Sequence, residues 1–135
     1  MAPSAVNDSA RAMMAADAKY RKDMGGLTTG GSSTVYTLVS NQVFSSLANM
    51  SLNSFVIITH ATNGASPTLN VDSLGAKAIN ASTGVAVATG ALLAGTPYLV
   101  TYLNATSEFI VVGSVGAISG ATISGGVVAT QAQQE

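Results

Sequence analysis

From Leu27 to Gly113 the chain repeats one pattern: apolar residues at every second position in short runs, separated by clusters of Gly, Pro, Asn and Ser. A period of two puts alternate side chains on opposite faces of an extended chain, so each run reads as a half-buried β-strand. In STVYTLVS, Val35, Thr37 and Val39 point one way and Tyr36 and Leu38 the other. In NSFVIITHA the two sets are Phe55, Ile57, Thr59 and Val56, Ile58, His60. TLNVDS sets Leu69 and Val71 inward against Asn70 and Asp72. GTPYLVTYL sets Tyr98, Val100 and Tyr102 against Leu99, Thr101 and Leu103, and SEFIVVG closes the series. Turn signals stand at Asn63-Gly64, Leu74-Gly75 and Thr83-Gly84, and from Asn104 to Ser107. Short strands with such regular punctuation predict a small antiparallel β-sandwich or barrel over residues 27–113. NQVFSSLANMSLN, between two strands, reads as a short helical turn or a loop.

Residues 1–26 follow a different rule. Seven of the eleven formally charged residues lie there, and the rest of the chain adds only Asp72, Lys77, Glu108 and Glu135. Helix formers run from Val6 through Ala10, Met13, Ala16 and Lys19, with Ser4 or Asn7 available as a cap and Gly25-Gly26 as a stop. Lys19, Arg21 and Lys22 suit the negative end of a helix dipole. Val6, Ala10, Met13, Tyr20 and Met24 fall on spacings of four and three, with Asp17 in the remaining slot. That is an a/d seam with one polar layer. It fits an amphipathic helix packed on its own domain, and it fits a short bundle between identical chains. The glycines of GGLTTGGSS read as a hinge between this helix and the β domain.

Residues 114–135 form a third zone, rich in Gly, Ala, Ser and Thr with spaced Val and Ile. It is too apolar for an ordinary linker and too rich in glycine for a helix. The two readings are a segment that pairs with other subunits and a disordered tail.

Several function classes are disfavoured by composition. Charged residues make up 8% of the chain, against about a quarter in average soluble proteins, which points to surface hidden between subunits. Outside the helix only Lys77 is basic, so no stripe for nucleic-acid phosphates exists. No run of about twenty apolar residues is available for membrane insertion, and no signal-peptide pattern opens the chain. There is no cysteine and one histidine, His60, so metal ligands at suitable spacing are lacking and no cofactor is expected. A Ser-His-Asp set assembled from His60 and Asp72 lacks a G-x-S-x-G elbow. Tyr36, Tyr98 and Tyr102 are candidates for a glycan-stacking surface, although core or interface positions suit tyrosines in so uncharged a chain better.

PSAVNDSARAMMA, the charged helix that continues it, and GGLTTGGSSTVYTLVSNQVFSSLANMS together resemble a module of bacteriophage tail-fibre and related virion fibre proteins. The same holds for NGASPTLNVDSLGAKAI, the TG-V turn and AG-T-Y-V strand after it, and the closing apolar strand before Gly113. The resemblance spans about residues 3 to 113. It implies a non-enzymatic virion structural protein of fibre or tail-fibre type, usually a homotrimer. A helix would lie near the attachment end, and a compact β domain would follow. Its partners would be further copies of itself and other capsid or tail proteins, in a virion assembled in a bacterial cytoplasm. A capsid decoration (head fibre) protein is an alternative, and an adhesin module for host-surface glycan is another.

Overall fold

In the computed structural model, residues 3–113 are described. The readings of residues 114–135 lie outside them. Helix α1 spans Pro3–Met24. Pro3 occupies a first-turn position, where its missing N–H costs nothing, so Ser4 and Asn7 lie inside the helix and not at its cap. Gly25 donates back to the Lys22 carbonyl at 3.1 Å, and Gly26 turns the chain with φ +109°.

Among the described residues nine strands follow: β1 (Leu27–Thr28), β2 (Gly30–Gly31), β3 (Val35–Leu38), β4 (Ser54–Ile58), β5 (Thr68–Val71), β6 (Lys77–Ser82), β7 (Val85–Ala86), β8 (Pro97–Leu103) and β9 (Glu108–Val111). Between β3 and β4 a single helical turn, α2 (Leu47–Met50), settles the ambiguous NQVFSSLANMSLN stretch, with the Ser46 hydroxyl capping the Asn49 N–H at 3.1 Å. The strands form one sheet in the order β1-β4-β8-β9-β6-β5-β3-β2, with β7 paired to β6.

The two ends of that order are β1 and β2, separated in sequence by Thr29 alone. One five-residue run therefore lies along β4 and then along β3, and it bends the sheet into a nearly closed barrel. This corrects the hinge reading of GGLTTGGSS, because the run belongs to the barrel wall. Gly31 is required there. Its φ is +83°, and a Cβ would sit inside van der Waals contact with the Val35 carbonyl oxygen.

The antiparallel expectation is also corrected. The pairs β1–β4, β3–β5 and β6–β9 run parallel, while β4–β8, β8–β9, β5–β6, β2–β3 and β6–β7 are antiparallel. Alternation encodes which face a residue takes but not the direction of the neighbouring strand. Strand direction here follows from long connections, such as the excursion through α2 and β4 that separates β3 from β5.

The barrel interior takes Tyr36 and Leu38 from β3, Phe55 and Ile57 from β4, Leu69 and Val71 from β5, Ile79 from β6, Val100 and Tyr102 from β8, and Phe109 and Val111 from β9. Met50 of α2 and Leu92 are buried with them. Aromatic rings meet at the centre, Phe109 lying 4.9 Å from Tyr102 and 6.1 Å from Phe55. Each such side chain contributes roughly 1.5–3 kcal/mol by leaving water. In β3 the inward set is Tyr36 and Leu38, while Val35, and Val39 just after the strand, face out. The barrel thus has a complete core without the helix.

Candidate functional site

Helix α1 stands on the barrel by its last turn. Of its 22 residues only Asp23 is buried, and Met24 is half-buried. The preceding residues are exposed over a length of about 30 Å, at 1.5 Å rise per residue. On the predicted seam Val6 is 52%, Met13 72% and Tyr20 46% exposed, and Ala10 is open as well. At 100° per residue these side chains share one face, while Ala12, Ala15, Ala16 and Lys19 share another, roughly a third of a turn away. The second face turns toward the barrel and, with Gln42, lines a cleft of about 450 Å³. The seam therefore points away from the barrel, and the alternative of a helix packed along its own domain is not what the chain adopts. An Arg21–Asp17 pair at 2.9 Å lies on the exposed surface and adds only the small gain of an i,i+4 ion pair.

The joint between helix and barrel is built from carboxylates. Each oxygen of Asp23 accepts one backbone and one side-chain N–H. Oδ1 takes the Asn41 N–H at 2.8 Å and Nδ2 at 2.9 Å, and Oδ2 takes the Gln42 N–H at 3.2 Å and Nε2 at 2.8 Å. From the other side Asp72, at the end of β5, accepts the Ser40 N–H at 2.8 Å, the Ser40 hydroxyl at 2.6 Å and the Phe44 N–H at 2.9 Å. The Val43 N–H goes to the Ser40 hydroxyl at 2.9 Å. Every backbone N–H from residue 40 to residue 44 thus ends on a side-chain oxygen. A buried carboxylate is tolerable only when so satisfied. Val43, a β-branched residue, is held at φ +53° within this segment. On the outer face of the barrel Ile58 and Val56 meet the chain at Gly26, just after the joint.

The other residues singled out by sequence have structural partners. His60 places Nδ1 2.8 Å from the Thr29 hydroxyl and Nε2 3.0 Å from the Gly31 carbonyl, so both ring nitrogens hold the barrel-closing run. The Gly31 carbonyl can only accept, so Nε2 carries the proton in that bond, and the Thr29 hydroxyl oxygen also accepts the His60 N–H at 3.0 Å. Asp72 is engaged with residues 40–44, so His60 and Asp72 serve separate networks. Among the described residues no three His, Cys, Asp or Glu side chains come together as metal ligands.

The glycan-stacking candidates need correction. Tyr36 and Tyr102 lie fully inside the barrel, and Tyr98 is half-buried with its hydroxyl 2.8 Å from the Leu93 N–H. Their rings fill apolar volume and present no shared open face, as the alternation that carries them inward requires. Burial raises the Tyr36 phenol above its ordinary value of 10.0, with nearby Tyr98 adding to the effect, and its hydroxyl donates to the Ala61 carbonyl at 2.6 Å.

No protein-family model matches the chain, and no curated protein matches it in sequence. Among the described residues no helix is long and apolar enough to cross a membrane.

The joint was not visible in the sequence. Asp23 ends a run of charges and reads there as solvated, and its partners lie 18 and 19 residues downstream. The only hint is the Ser40-Asn41-Gln42 triplet, three side chains able to serve backbone or carboxylate at the close of a strand.

Proposed function

We propose that this chain is a non-enzymatic structural subunit of a bacteriophage virion, of fibre or tail-fibre type, that associates with further copies through α1 and attaches to the particle. One observation carries the reading: a 22-residue helix with an apolar seam stands free beside a barrel that already has its own core. A single helix of this length is marginal in water, and packing of its apolar face is what normally stabilises it. Seams spaced in fours and threes are satisfied by other helices of the same kind. The fibre resemblance favours three copies around an axis, with the helix near the attachment end and the β domain after it. A capsid decoration protein would use the same surfaces and is the nearest alternative.

The test is the mass of the purified chain in solution by light scattering. The expected value is three times 13.4 kDa. A monomer at every concentration would contradict self-assembly through the helix.

A further inference from the structure

Asp23 does more than end a helix. A free handle needs only a flexible connection, and the Gly25-Gly26 pair would provide one. Instead the chain buries a carboxylate at the joint and surrounds it with four donors from Asn41 and Gln42. The receiving segment is itself pinned by Asp72 and Ser40 through the N–H groups of residues 40, 43 and 44, and Asp23 takes the remaining two, from Asn41 and Gln42. Directly after the helix, β1 and β2 are paired into the barrel wall, so the chain has no slack on that side either. Helix, socket and wall are coupled at three successive points.

We infer that residues 40–44 form a rigid socket and that Asp23 is the positioning residue that fixes the direction of α1 relative to the barrel. The helix is then a set-angle arm. Its seam faces outward at one orientation, and copies meet with their seams already aimed at a common axis. The consequence for assembly rests on the proposed function above, whereas the fixed angle does not. Preorganisation of this kind favours association by removing an ordering cost that a hinged helix would carry.

The chain has no cysteine, so Ser9→Cys on the helix and Thr83→Cys in the β6–β7 turn give two unique sites for spin labels. Both positions are exposed. Labelled chain diluted in excess unlabelled chain reports the distance within one subunit by pulsed electron resonance. A single narrow distribution is expected in this background, and a broad one would overturn the socket. With Asp23→Ala added, the distribution should widen about twofold as the joint's dihedrals are released. The urea midpoint, followed by tyrosine fluorescence, should fall by the local loss of the Asn41 and Gln42 bonds, with the barrel still unfolding in one cooperative transition. An unchanged width with Asp23→Ala would refute the role of Asp23. Met13→Glu, which spoils the seam and leaves the joint alone, should keep the narrow distribution even where it abolishes assembly. That separates failure of the socket from failure of the assembly reading.

Discussion

Glu108 begins β9 on the outward side of the strand, yet its side chain is buried. Its Oε1 accepts the Asn80 amide at 2.6 Å and the Gly84 N–H at 2.9 Å. The Thr106 side chain, the Gly84 amide and Asn80 hold its carboxyl below the ordinary carboxylate range, against an opposing push from burial. A folded-state value that is lowered contributes stability above the unfolded value, and that contribution is lost as pH falls through the folded value. The urea midpoint should therefore drop on going from pH 7 to strongly acid pH. Glu108→Gln should flatten that limb, and an equal slope in both proteins would exclude the network as its cause. Tyr36 has the opposite sign. Its raised value gives stability that is complete below pH 10 and lost above it. Tyr36→Phe removes the bond to Ala61 and should cost about 1–2 kcal/mol at neutral pH in a denaturant titration. Networks of this kind were illegible in the sequence, because a donor and acceptor 28 residues apart leave no local period. Asn63 is a further case. It reads as a turn residue before Gly64, yet it is buried and bonds the Ala88 carbonyl and the Leu92 N–H.

Elements were the more legible level, since face and length are local properties. Phe55, Ile57, Leu69 and Val71 alternate inward as their spacing requires, and the Thr83-Gly84 turn joins β6 to β7. The turn after β5 sits earlier than Leu74-Gly75, on Asp72 and Ser73 at φ +52° and +61°, with Leu74 bonded back to Val71 at 3.0 Å. Asp72 accepts that strained backbone while its carboxylate reaches residues 40–44. The β1–β2 run was misread because two residues per strand are too few to display a period. Its importance can be measured: Gly31→Ala should destabilise the barrel by about 2 kcal/mol or more, from strain plus overlap with Val35. Gly84→Ala meets nothing within 4 Å and should cost only the backbone strain, about 1 kcal/mol. Equal losses would remove the special status of the barrel-closing run. On α1, Met13 and Met14 are 72% and 69% exposed, but only Met13 lies on the seam. Met13→Glu should weaken association at least about tenfold, as expected from losing one buried Met per copy, and Met14→Glu should change it far less. Similar effects from both would mean the seam does not direct the contact.

At the scale of the whole molecule the charge distribution and the fold agree. The barrel is nearly uncharged and internally complete, while the charged helix offers an apolar face that the barrel leaves uncovered. On the proposed function, this face is covered by other copies of the chain. Amide hydrogen exchange of residues 4–24, followed as the full chain is diluted, reads this out. An isolated helix opens readily, whereas one packed in a bundle opens only with the assembly. Self-association through the seam gives strong protection at high concentration that disappears on dilution, while the amides of β4 and β8 stay protected throughout. Rapid exchange of the helix at every concentration, or protection independent of concentration, would contradict it.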